Sequence, residues 1–193
     1  MDIEDISLDN AAAIDRRNQA IHLVQEWAAR QHRTVEIVYT LPTAPTGLED
    51  NAINVLASAA RNHARVDIVN IMTFDYYDDQ AHDMAADTKT AATSLVGTLQ
   101  QLYPHRSTAQ LWRMVGITEM LGIDDYGPPE IFTTADAAMV EHWARSIGIA
   151  ELSFWALERD NGGCVGTAGS DSCSGIAQST WQFSHAFEPF TRR

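Results

Sequence analysis

A chain of 193 residues with 45% hydrophobic content is long enough to bury one core, or at most two. Its formal net charge of −13 and pI near 4.7 argue against nucleic acid or an anionic membrane as partner. No apolar run reaches the roughly 18 residues of a membrane span, and no basic-then-apolar signal peptide opens the chain.

Met1-Asp2-Ile3-Glu4 sets Asp2 and Glu4 two apart, so on an extended strand both carboxyls leave one face. One carboxyl beside another raises its pKa toward neutrality, which a general acid requires. Residues 11–31 carry Ile14, Ile21, Val24 and Ala28 at helical spacing. Residues 35–41 (VEIVYTL) form a β-rich run closed by Pro42 and Pro45. Residues 49–62 read as a helix with Ile53, Leu56, Ala59 and Ala60 on one side. Residues 66–74 (VDIVNIMTF) read as a strand buried on both faces, followed by Asp75, Tyr76 and Tyr77. A helix over 84–103 is broken by Pro104, and 111–118 (LWRMVGIT) reads as a third strand. A helix over 134–147 ends at Gly148, 149–156 (IAELSFWA) is the fourth strand, and 176–190 makes one last short helix.

Strand starts near 35, 66, 111 and 149 give βα units of roughly 30 to 45 residues, as in parallel α/β folds. Two architectures compete, an open doubly wound sheet and a (β/α)8 barrel. No Gly-rich phosphate loop follows any strand, so the dinucleotide-binding version loses support. In either fold chemistry sits at the C-terminal strand ends, here Asp75 and Tyr76, Thr118 and Glu119, and Trp155 with Glu158 and Asp160. Carboxylates and aromatics at a common rim suggest a carbohydrate site. The plainer alternatives are Asp75 as a helix N-cap, Trp155 as a core residue, and Glu158 and Asp160 as partners of backbone or arginine. Trp27, Trp112, Trp143 and Trp181 read as packing residues. The seven histidines form no His-Glu-x-x-His or close pair, so neither metal nor cofactor is expected.

Asp2-Ile3-Glu4, VYTLPTAPTGL, VDIVNIMTFDYY, WRMVGITEMLGIDD with EIFTTADA, LSFWALERDN and CSGIAQSTWQFSHAFEPF follow one another in a telling order. Together they resemble the C-terminal half of a family 18 glycoside hydrolase, the chitinase and endo-N-acetylglucosaminidase group, above all its bacterial chitinase-like catalytic domains. The family's fourth strand ends in Asp-x-x-Asp-x-Asp-x-Glu, whose last Asp-x-Glu matches Asp2-Ile3-Glu4. The resemblance implies the (β/α)8 TIM-barrel family. Residues 1–193 would be a truncated half-barrel from the end of strand 4 through strand 8 and the final helix, with three βα units missing.

The implied reaction is hydrolysis of β-1,4 bonds between N-acetylglucosamine units, retaining and substrate-assisted, with the substrate's acetamide oxygen as nucleophile. Glu4 would be the acid and Asp2 would orient the acetamido group. Met72 and Asp75 match the sixth-strand signature Met-x-Tyr-Asp, and Trp155 would floor the subsite. Phe74 stands where the family commonly has Tyr, so the phenol hydroxyl would fall to Tyr76. Chitin or N-acetylglucosamine oligosaccharides are the implied partners, and an extracellular location is implied. An inactive chitin-binding remnant and a non-enzymatic α/β interaction domain are the alternatives. Open sheet edges would favour self-association. In a secreted-type family, Cys164 and Cys173 around a Gly/Ser-rich loop read as a disulfide adding about 2–3 kcal/mol; free thiols are the alternative.

Overall fold

The structure, a computed structural model, describes residues 1–192. Its helices are α1 (Ile6–Asp9), α2 (Ala11–Arg30), α3 (Asp50–Arg61), α4 (Met84–Leu102), α5 (Thr108–Trp112), α6 (Thr134–Ile147) and α7 (Gln182–Phe187). Its strands are β1 (Val38–Pro42), β2 (Ile68–Met72), β3 (Val115–Met120), β4 (Gly122–Ile123), β5 (Ile131–Phe132) and β6 (Glu151–Trp155). One parallel sheet holds β1, β2, β3 and β6 in that order, and β4 pairs with β5 antiparallel. Strand order follows chain order without reversal among the described residues, so the sheet is singly wound rather than doubly wound. Right-handed crossovers then carry α3, α4 and α6 to one face.

The two faces differ in chemistry. Tyr39, Leu41, Val69, Ile71, Val115 and Ile117 join Val55, Leu56, Leu95 and Leu99 of the helices in the main core. Each fully buried aliphatic side chain there stabilises the fold by about 1.5–3 kcal/mol. The opposite face is polar. Asn70 Nδ2 donates to Thr40 Oγ1 (3.3 Å) and Thr118 Oγ1 (2.7 Å), and Thr118 and Ser153 share a hydroxyl contact of 2.7 Å.

The first residues extend this sheet. Asp2 bridges Thr40 in parallel, with Ile3 N–H donating to Thr40 O (3.0 Å) and Thr40 N–H to Met1 O (2.8 Å). Ile3 falls into the helix-side core. Strand alternation therefore sends Asp2 and Glu4 to the polar face.

Three sequence expectations shift. Strand β1 begins at Val38 rather than Val35, because the Asp67 carboxylate takes the Ile37 N–H (2.8 Å). Leu111 and Trp112, expected in a strand, close α5, whose Ser107 and Gln110 form a reciprocal capping box. The expected helix over 176–190 reduces to α7 and a 3-10 turn, Glu188–Thr191.

Buried Asp160 anchors that tail. It accepts the Phe183 N–H (3.0 Å), the Ser184 N–H (2.8 Å) and the Ser184 hydroxyl (2.7 Å), satisfying donors in the first turn of α7. Phe183 and Phe187 then pack with Phe132, Met84 and Leu121 in a second core cluster. Cys164 and Cys173 form the disulfide, with Cα atoms 5.9 Å apart. No helix among the described residues is long and apolar enough to cross a membrane.

Candidate active site

A cavity of about 290 Å³ opens at the C-terminal ends of the parallel strands. Asp2, Glu4, Met72, Phe74, Asp75, Met120, Asp125, Trp155 and Asp171 line it. Of the residues singled out in the sequence, Asp2, Glu4, Met72, Asp75 and Trp155 thus meet at one place. Met72, Met120 and Trp155 lie at matching ends of β2, β3 and β6. Trp155 is 51% exposed, so it is a surface aromatic and not a core residue. Asp75 does not cap a helix either, since the N-cap of α4 is Asp83.

Glu4 holds its proton more tightly than an ordinary glutamate. Partial burial against the cavity wall is the first cause, and the charge of Asp2 with a hydrogen bond to it is the second. Asp75 is pushed up to about 6 by burial and by the carboxyls of Asp124 and Asp125. Its Oδ1 accepts the backbone N–H of Asp125 (3.0 Å) and Tyr126 (3.2 Å), which favours the ionised form and limits the rise.

The loop carrying Asp75 has a left-handed backbone at Asp75, Tyr77 and Asp79, with φ of 54°, 54° and 60°. Such conformations persist only where the surroundings enforce them. Here Asp124 Oδ2 accepts the Asp75 N–H (3.0 Å), while Glu130 accepts those of Tyr76 (2.8 Å) and Tyr77 (3.1 Å). Burial and a hydrogen bond with Glu130 push Asp124 up to about 7. His82 closes the loop from its far end, its two ring nitrogens 2.7 Å from Asp87 and 2.9 Å from Asp78.

Tyr76 does not join the cavity, contrary to its expected role in place of Phe74. Its ring packs at the second core cluster, 4.9 Å from the His82 ring, and its hydroxyl is buried. Glu119 also faces away, fully buried and hydrogen-bonded to Thr88 (2.8 Å), where desolvation pushes its carboxyl up to about 8.

Sequence reasoning missed Asp125 and Asp171, which reach the cavity from loops after β4 and within the disulfide-closed segment. A larger cavity of about 360 Å³ lies elsewhere, beside α2 and α3. Its Asp15 is already engaged by Ser58 (2.5 Å) and Asn62 (3.1 Å).

The raised carboxyls make stability depend on pH in a defined direction. Asp75, Asp124 and Glu119 bind protons more tightly folded than unfolded. Their stabilising contribution is complete below about pH 4, where both states are protonated. It is lost as pH rises through about 6, 7 and 8 respectively. His82, also raised, acts with the same sign. Thermal unfolding followed by circular dichroism is expected to give a Tm roughly 5 °C or more higher at pH 5 than at pH 8. An equal or higher Tm at pH 8 contradicts this account of the buried carboxyls.

No protein-family model matches the chain. It is 32% identical over 205 residues to the probable bifunctional chitinase/lysozyme of Escherichia coli (strain K12), an alignment covering 100% of this chain and 22% of that protein. It is 33% identical over 169 residues to endochitinase 11 of Metarhizium anisopliae, covering 82% of this chain and 32% of that one. The chain therefore spans about a fifth to a third of these relatives' lengths. The catalytic domain of a hyperthermophilic chitinase from Pyrococcus furiosus superposes with a TM-score of 0.83 at 30% identity, over 100% of this chain and 59% of that one. A catalytic-site mutant of active domain 2 of a Pyrococcus furiosus chitinase, complexed with chito-oligosaccharides, gives 0.82 at 31% identity, over 93% and 56%.

Proposed function

We propose, from the premise that this chain is a chitinase-like domain of glycoside hydrolase family 18, that its cavity cleaves β-1,4 bonds between N-acetylglucosamine units with retention. The observation that carries this reading is the meeting of the paired carboxyls Glu4 and Asp2 with Asp75 and an exposed Trp155 in one cavity, where partial burial and then Asp2 raise the Glu4 pKa.

Glu4 starts protonated and gives its proton to the glycosidic oxygen as that bond breaks. The acetamide oxygen of the sugar on the non-reducing side attacks the anomeric carbon, forming a cyclic oxazolinium ion. Asp2 and Asp75 orient the acetamido group, and negative charge beside it stabilises the cation that develops. Met72 packs against the same sugar and Trp155 stacks beneath it. Water then opens the ring from the opposite face, losing its proton to the Glu4 carboxylate, so two inversions give net retention. Tyr76, facing the core, has no part in these steps.

Because Glu4 must be protonated, kcat/KM on a chromogenic chitobioside is expected to fall as pH rises through its elevated pKa. A profile flat across that range removes Glu4 from the acid's role. One observation favours a second reading, a saccharide-binding remnant without turnover. Phe74 supplies no hydroxyl and Tyr76 does not reach the cavity. Binding of the N-acetylglucosamine tetramer with no product release decides for it.

We further propose that the singly wound sheet corresponds to strands 4 through 8 of a (β/α)8 barrel, the polar Thr40, Asn70, Thr118 and Ser153 row being its inner layer. The outer edge of β6 has no partner strand among the described residues, and self-association through it is expected. Elution as a monomer in size-exclusion chromatography overturns that. The disulfide is compatible with an extracellular location.

A further inference from the structure

Trp155 is the aromatic platform of the proposed site, yet little holds its ring in place. It is half exposed, and among the described residues no aromatic ring stacks on its indole. One polar contact reaches it. The indole Nε1–H points to Asp171 Oδ1 at 3.4 Å, long for an N–H···O bond. Asp171 belongs to the segment that the Cys164–Cys173 disulfide closes, and it lines the cavity itself.

Side chains in exposed loops normally make poor anchors, because the backbone beneath them moves. This loop is pinned on both sides of Asp171. Arg159 Nη1 donates to Ser170 O (2.8 Å), and Asn161 Nδ2 donates to Ser172 O (2.8 Å). The Gly169 N–H donates to Asp124 O (3.0 Å), and the Ser174 N–H to Asn161 O (3.1 Å). Cys173 and Ser174 are buried. The backbone that carries Asp171 therefore sits at a fixed point relative to the end of β6, with the exposed carboxylate within reach of the indole.

We propose that Asp171 is a positioning residue for saccharide binding. Its carboxylate accepts the Trp155 indole N–H and sets the plane of the ring, so that the ring face meets the apolar face of the sugar. It acts through Trp155 and as a hydrogen-bond acceptor, not as a general acid. This deepens the reading in which Trp155 stacks beneath the sugar, and it rests on that reading. Asparagine keeps an acceptor oxygen at the same reach, whereas alanine does not. Removing the acceptor frees the indole to rotate, and the cost appears as side-chain ordering on binding.

The test uses the whole chain in two measurements. The first needs no ligand: the indole N–H resonances of the five tryptophans, with Trp155 identified by its loss in Trp155→Phe. The Trp155 resonance is expected to move in Asp171→Ala and to stay close to its original position in Asp171→Asn. The second is calorimetric affinity for the N-acetylglucosamine tetramer. Asp171→Ala is expected to weaken it about 5-fold, the scale of one hydrogen bond, with Asp171→Asn within about twofold of the unmodified chain. Added to Trp155→Ala, the alanine change should have no further effect.

A Trp155 resonance unmoved by Asp171→Ala overturns the proposal. So does unchanged tetramer affinity in Asp171→Ala when Trp155→Ala weakens it, or an Asp171→Asn variant as weak as alanine. No effect of Trp155→Ala on tetramer affinity, or no tetramer binding at all, instead defeats the stacking role on which the proposal stands.

Discussion

Glu4→Gln is expected to lower turnover of a chromogenic chitobioside by about 1,000-fold, the scale of a positioned general acid. The same change should leave tetramer affinity within a few-fold. Glutamine preserves the size and one acceptor of the side chain but has no proton to give a leaving alkoxide. In the folded chain Glu4 binds its proton more tightly than an ordinary glutamate because it is partly desolvated and hydrogen-bonded to Asp2. The amide N–H can take over the donation to Asp2, and it carries no charge that would repel Asp2 at a pH where Glu4 ionises, so the variant should be at least as stable as the parent. Any loss of activity then cannot be attributed to unfolding. Equal rates in the two proteins would falsify the assignment of Glu4. Loss of tetramer binding together with turnover would instead make it a binding residue.

Arg159→Met is expected to cost the fold about 3–5 kcal/mol, read as a drop in the urea midpoint. Arg159 is fully buried. Its Nε and Nη2 donate to Leu121 O at 3.2 and 3.0 Å, Nη2 also to Ile123 O at 2.6 Å, and Nη1 to Ser170 O at 2.8 Å. Methionine fills similar space but satisfies none of these carbonyls, and each buried acceptor left unpaired costs about 1–3 kcal/mol. Arg159 also supplies positive charge beneath Asp75, Asp124, Asp125 and Asp171. Its removal should raise the pKa of Asp75 further and steepen the loss of stability above neutral pH. A destabilisation below about 1 kcal/mol would show that water replaces the guanidinium, since a hydrated surface substitution costs no more than that.

Much of the site could be read from the sequence because strand geometry is local. The spacing of Asp2 and Glu4 follows from a period of two, and Trp155 from the end of its strand run in parallel register, whereas Met72 was legible only through the family's sixth-strand signature. The reading failed where the backbone left that period. The resemblance gives Tyr76 the hydroxyl that Phe74 lacks, but the left-handed turn at Asp75 sends the Tyr76 ring to the second core cluster. Helix α5 did carry a local signal, Ser107 with Gln110 three residues later, hidden by the apolar run beginning at Leu111. Asp125 and Asp171 carried none. The paths of their loops are set by Arg159, which reaches Ile123 across 36 residues and Ser170 across 11, by Asn161 and by the Asp124–Glu130 pair.

The hold of Asp124 and Glu130 on residues 75–77 also bears on how such a site can be altered. Three consecutive amides of one loop take their shape from carboxylates of another, and Asp75 returns two bonds to that other loop. The two segments behave as mould and cast. Exchanging the loop after β2 alone, whether by engineering or by drift, leaves a mould with nothing to grip. Any relative that keeps the carboxylate at position 75 in place by this route must carry both loops as a single inherited unit.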